Sequence, residues 1–198
     1  MNHRFQCKCG ALQGLVDQPA RALRGICYCK DCRAYSHHLG STAQTHDSQG
    51  GAEFVATLAK FVTFSEGTEH LACLSLSSKG LLRWYASCCR TPIANTVRNW
   101  KIPYVGLLGS CLIADPASYE VAFPRLQMRV NTGGSEQAPS DLRFGTVTAL
   151  AGFMPRVMLS GIDGTYRQTP FFSAPAGLPR AHVTVLSEAE RKHAYSAA

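Results

Sequence analysis

Seven of the nine cysteines in this chain fall into three short groups: Cys7 and Cys9, then Cys27, Cys29 and Cys32, then Cys88 and Cys89. Thiolates are soft metal ligands and strong nucleophiles, so the spacing within each group decides what it can do. In an extended segment alternate side chains point the same way, and Cys-x-Cys therefore sets both sulfurs on one face. Cys7 and Cys9 supply half of a tetrahedral zinc site in this way, and Gly10 lets the chain turn away behind them. Cys27 and Cys29 repeat the arrangement, and Cys29-x-x-Cys32 adds a turn that brings a third sulfur to the same point. Three thiolates from one local loop leave the fourth position of a zinc ion unfilled by that motif. An open position is what separates a reactive zinc from a structural one. Cys88 and Cys89 arrive from a distant strand and can complete one of the two sites. Neighbouring side chains in a strand diverge, so the expectation is that one of this pair ligates while the other packs. Cys73 and Cys111 stand alone among apolar residues and read as small buried hydrophobes.

The rest of the composition supports metal over disulfides. The opening MNHRFQCKCG has no apolar core of a secretion signal, and no apolar run approaches the length of a membrane span. The expected compartment is therefore the cytoplasm, where thiols stay reduced, and an odd cysteine count fits a disulfide framework poorly. With 45% hydrophobic and 17% charged residues the chain reads as an ordinary globular protein. The formal net charge of +7 does not come from runs of basic residues. Many cations sit near cysteines instead, including Lys8, Lys30, Arg33, Arg83 and Arg90, where they offset the negative charge of metal-bound thiolates. Neither nucleic acid nor a membrane is an expected partner.

The elements that must position these thiols read as short strands up to about residue 112. Candidates are Ala11–Val16, Ala22–Cys27, Glu53–Leu58, Lys60–Phe64, His70–Leu76, Leu81–Tyr85 and Tyr104–Leu108, parted by turn-rich pieces such as SQGG and SSKG. Ser36–Gly51, rich in Ser, His and Gln, reads as a long exposed loop in which His37 and His38 are solvated. His70 reads as an outward-facing strand residue. After Ile113 the character changes. Asn131–Pro139 looks like linker, and Leu142, Val147, Leu150, Met154 and Met158 fall near helical spacing, with Pro155 expected to kink or break the helix. Phe153, Met154 and Met158 read as helix core. Ser187 and Glu190 form a capping box for a short terminal helix.

CKCG, then CYCKDC, then RWYASCCRTPIAN resembles the family of glutathione-dependent formaldehyde-activating enzymes, which includes centromere protein V type proteins. The resemblance covers roughly residues 1–115. That family's last motif usually has the form F-C-x-x-C-G-x-P. Matching Thr91-Pro92 to it puts Cys89 on the second cysteine, Ala86 on the first, and Arg90 where Gly is usual. The resemblance implies a mainly β fold, a small zinc-stabilised β-tent over residues 1–115, with a partly helical C-terminal extension over 116–198. It implies one or two zinc ions. Cys7, Cys9 and Cys89, with Cys88 as candidate fourth ligand, would match the structural zinc, and Cys27, Cys29 and Cys32 the zinc implicated in activity. The partner it implies is a small thiol such as glutathione, or its formaldehyde adduct S-hydroxymethylglutathione, handled by carbon–sulfur lyase chemistry. Lys30 and Arg33 are then candidates to hold glutathione carboxylates. Two other readings use the same residues: a non-catalytic structural zinc module, and a thiol-based redox sensor.

Overall fold

A computed structural model describes residues 2–113, 115–135 and 143–196. The chain is mainly β, as expected. Thirteen strands run in the order β1 (Asn2–Gln6), β2 (Gln13–Asp17), β3 (Leu23–Cys27), β4 (Ala52–Leu58), β5 (Val62–Glu66), β6 (Leu71–Ser75), β7 (Leu82–Ala86), β8 (Thr91–Thr96), β9 (Tyr104–Leu108), β10 (Leu126–Val130), β11 (Phe172–Ser173), β12 (Leu178–Pro179) and β13 (Val183–Val185). Among the described residues six α-helices accompany them: α1 (Lys30–Leu39), α2 (Thr42–Thr45), α3 (Gly109–Leu112), α4 (Pro116–Ala122), α5 (Arg143–Ile162) and α6 (Glu188–Ser196).

The strands form an eight-stranded sheet in the order β10-β3-β4-β9-β8-β7-β6-β13, a three-stranded sheet β1-β2-β5, and the small pair β11-β12. Pairing within the large sheet is antiparallel except at its two ends, where β10 lies parallel to β3 and β13 parallel to β6. Both end strands come from the chain after Asp115, so that stretch closes the edges of the sheet on which the cysteines are mounted. The principal core gathers Phe5, Leu12, Trp84, Ile93, Leu107 and Phe171 between the two sheets, all essentially inaccessible. Each such side chain contributes about 1.5–3 kcal/mol on burial. Trp84 is tied at both faces: its indole N–H donates to Thr96 Oγ1, and its carbonyl accepts from the buried Tyr35 hydroxyl of α1.

Several sequence expectations change here. Much of Ser36–Gly51 is helical, not loop: α1 buries Ala34, Tyr35 and Leu39 and ends at Gly40, whose φ of 67° provides the left-handed stop. His70 lies in a short 3-10 turn before β6 and not in a strand. Helix α5 runs unbroken through Pro155. Pro155 and Ala151, the residue whose carbonyl loses its N–H partner, both face solvent, where water can meet that carbonyl. Phe153 is buried against Met128 and Leu58, but Met154 and Met158 are exposed, Met158 by 65%. The helix is apolar on nearly every side, and spacing alone did not single out the face that packs. Cys73 and Cys111 are buried as expected, and burial pushes the Cys73 thiol up to about 12. The Ser187–Glu190 capping box is formed, each backbone N–H bonding to the other side chain. Leu142 and residues 136–139 of the proposed linker fall outside the described residues.

Candidate metal centres

The first cluster joins two turns that are far apart in sequence. Cys7 and Cys9 do not lie in an extended segment: Gly10 N–H returns to the Cys7 carbonyl (2.9 Å), closing a tight turn that ends with Gly10 at φ 77°. The second turn, Ser87–Arg90, links β7 to β8, and its ends are fixed by the Ala86–Thr91 register pair and by Arg90 N–H bonding to the Ala86 carbonyl. Because Cys88 and Cys89 sit in this turn and not in a strand, their side chains do not diverge. Both approach Cys7 and Cys9, so neither packs away as strand geometry alone led one to expect, and Cys88 stands where a fourth ligand would.

The sulfur of Cys88 lies 3.3 Å from that of Cys9, 3.8 Å from that of Cys7 and 3.8 Å from that of Cys89, while Cys7 and Cys9 are 3.5 Å apart. All four sulfurs lie within 4.8 Å of one another. Four thiolates around zinc at about 2.3 Å would stand roughly 3.8 Å apart, so the donor set fits a closed tetrahedral site. Cys7 is held by a hydrogen bond from Leu12 N–H (3.3 Å), and the two turns are joined by Lys8 N–H donating to Thr91 Oγ1 (3.0 Å). Burial raises the Cys7 thiol above its ordinary range. At Cys89 burial acts upward too, but hydrogen bonds from Thr91 and Cys9 outweigh it and bring the thiol down to about 6. Arg90 adopts φ 58°, the left-handed conformation in which glycine is the usual residue, and its guanidinium donates to the His38 carbonyl (2.7 Å).

The second cluster is local. Cys27 ends β3, and Cys29 is the extended N-cap of α1, its sulfur accepting the Cys32 N–H at 3.4 Å. Thus Cys32 stands in the first turn of the helix, above the strand end. The three sulfurs lie within 4.8 Å of one another, with Cys32 the most enclosed. Each accepts one N–H: Cys29 from the backbone, Cys27 from Asn131 Nδ2 (3.3 Å) and Cys32 from Arg83 Nη1 (3.9 Å). Asn131 reaches Cys27 because β10 pairs with β3 in a register that sets Val130 beside Cys27. Hydrogen bonds from Cys29 and then Cys32 hold the Cys27 thiol far below its ordinary range. The bond to Cys27 is also the main cause that raises Cys29 and Cys32. No fourth His, Cys, Asp or Glu among the described residues joins this group.

What lies on the open side is a pocket of ≈ 240 Å³. Its walls are largely apolar, with Phe54, Leu108 and Val130 contributed by strands of the large sheet and Leu81 by the turn just before β7. Gly106 leaves the space over β9 that the Tyr104 ring takes, since a Cβ there would sit 2.6 Å from the Tyr104 hydroxyl. Arg83, only 3% exposed, projects from β7, and Asn95 from β8 touches it at 3.4 Å. Neither Lys30 nor Arg33, the candidates to hold glutathione carboxylates, lines this pocket. Lys30 is exposed, and Arg33 Nη1 is committed to the carbonyls of Tyr28 and Gly134 (3.0 and 2.7 Å). Arg83, one of the cations expected to offset thiolate charge, does line it, and its guanidinium reaches Cys32. The available signal was a charged residue inside a strand whose neighbours Leu82 and Trp84 are both apolar.

Fold and clusters together define a mainly β protein with two groups of thiols able to hold metal ions. The chain belongs to a family of unknown function, DUF6151, whose model matches residues 3–174. No curated protein and no solved structure matches it. Among the described residues no helix is long and apolar enough to cross a membrane.

Proposed function

We propose that this chain binds two zinc ions and acts on a thiol at the second. In this reading Cys7, Cys9, Cys88 and Cys89 hold a closed, structural ion. Cys27, Cys29 and Cys32 hold an ion whose fourth position faces the pocket. The carrying observation is the contrast in donor sets: four converging sulfurs in one cluster, three beside a pocket in the other. Zinc with an open position lowers the pKa of a thiol that binds it, so that the thiol is a nucleophile near neutral pH.

The chemistry follows from the resemblance to formaldehyde-activating enzymes. The thiol sulfur adds to the carbon of formaldehyde, the carbonyl electron pair moves to oxygen, and one proton from solvent completes the hydroxymethyl adduct. The reverse reaction cleaves the carbon–sulfur bond and releases formaldehyde. The pocket orients the thiol and limits water, while Arg83 offsets the negative charge of the thiolates.

The test is zinc content per chain in reduced protein before and after exposure to a small neutral thiol and, separately, to glutathione, together with formaldehyde–thiol exchange followed by NMR. Two zincs, one of them labile to thiol, with exchange faster than the uncatalysed rate, support the enzyme. Two zincs indifferent to thiol, with no acceleration, sink it and leave a structural module. A sensor reading is favoured by one observation at the first cluster: Cys9 and Cys88 are exposed with sulfurs 3.3 Å apart. Peroxide would oxidise that pair to a disulfide, itself reduced to water, with loss of the ion. Metal release reversed by a reductant would support this second reading.

A further inference from the structure

The walls of the pocket beside Cys27, Cys29 and Cys32 say which thiol it suits. Among the described residues that line it, Arg83 is the only cation and Asp31 the only carboxylate. Arg83 is buried, and its guanidinium has no carboxylate at close range: Asp31 Oδ2 is 3.9 Å away, on a side chain 58% exposed. A buried cation without an anion is costly, so its charge must be met from inside the site. The thiolates meet it. Arg83 Nη1 reaches Cys32 Sγ, and a divalent ion with three thiolates carries a charge of about −1, which one guanidinium balances.

That balance leaves no cation free to receive a ligand carboxylate. Asp31 carries negative charge at the mouth, where its Oδ1 accepts the Tyr195 hydroxyl (2.6 Å). The remaining surface is aliphatic and aromatic, with the amides of Asn95 and Asn131 as neutral polar points. The volume of ≈ 240 Å³ is also below the roughly 300–1,000 Å³ of sites that enclose a drug-sized ligand. The body of a tripeptide would lie outside it, past the exposed Asp31.

We infer that the pocket selects a compact thiol with an uncharged body, or the one-carbon adduct of such a thiol, over a thiol that carries a carboxylate. This rests on the open-site reading above. The selectivity is electrostatic and steric together: the first carbons beyond the sulfur meet Phe54, Leu81 and Leu108, and an acid group there meets Asp31 and the thiolates.

The experiment is a thiol titration of the full chain loaded with Co²⁺ in place of zinc, read from the cobalt–thiolate absorption. Cys29→Ser identifies the bands that belong to the second cluster. The probes are 1-propanethiol, 3-mercaptopropanol, 3-mercaptopropionate and glutathione. The two neutral thiols should bind at least about tenfold more tightly than 3-mercaptopropionate, and glutathione should be no tighter than the acid. Asp31→Asn, at an exposed position, should tighten 3-mercaptopropionate about threefold and leave 1-propanethiol unchanged. Equal or tighter binding of the acid or of glutathione overturns the inference while leaving the open site intact. Failure of every thiol to change the second cluster's bands, or failure of cobalt to enter it, overturns the open-site reading itself.

Discussion

The two cysteine clusters use the same side chain for opposite ends. Cys7 and Cys9 meet Cys88 and Cys89 across roughly eighty residues, and the four sulfurs complete a tetrahedron between two turns. Cys27, Cys29 and Cys32 lie within six residues, on a strand end and the helix that follows it. Their missing corner opens on a pocket built by distant strands. In the first cluster the sulfurs bring together two turns that are distant in sequence. In the second the fold supplies what the sulfurs lack: donors to each sulfur, a buried counter-charge and a shaped cavity. The difference teaches that cysteine spacing along the chain marks a metal's job less well than what surrounds its open side.

Cys88→Ser is the strongest way to break this comparison. Closing a loop of that length is worth about 4 kcal/mol in chain entropy, so loss of the first ion should remove one metal per chain and a comparable amount of stability. Denaturant unfolding and metal analysis of the same sample check both. An unchanged metal count would mean that Cys88 is not the fourth ligand. Cys29→Ser should remove the other metal with a far smaller effect, within about 1 kcal/mol. Its loop is short, and Ser is a good N-cap for α1. A variant that unfolds would make the second site structural and erase the contrast.

Asn131→Ala sharpens the comparison, because it removes the side-chain donor to Cys27 without touching a thiol. Competition with a chelator should show metal affinity at the second cluster falling by about tenfold, with the first unaffected. The smallest effect is expected from Arg90→Gly. Relief of the left-handed conformation and loss of the bond to His38 nearly cancel, leaving under about 1 kcal/mol by thermal unfolding, with metal content unchanged. A fall in metal content would show that Arg90 supports the first cluster as Arg83 does the second.

Legibility in the sequence followed locality. Tyr104–Leu108 was readable to the residue, and six further strands to within a few residues, because each carries its signal in consecutive positions. The strand Thr91–Thr96 was not, since it is buried at every position and shows no alternation. Helix α1 hid behind serine and histidine, its buried apolar residues being Ala34, Tyr35 and Leu39 beside a buried Ser36, with a cysteine as its cap. The cysteine groups were legible as groups. That Cys88 and Cys89 both reach the first cluster depends on a turn conformation that neighbouring residues do not announce. The pocket was invisible, because Arg83, Asn95 and Asn131 come together only through strand order and register in the large sheet.

The sequence separation of the two clusters also sets an order of assembly on the ribosome. All three thiols of the second cluster emerge together, before most of the sheet exists, and can trap an ion while the chain is still being made. The first cluster must wait until Cys89 has left the exit tunnel, with Cys7 and Cys9 unpartnered in the meantime. If both clusters hold metal as proposed, a starved cell would therefore fill the site beside the pocket before the one that joins the two turns.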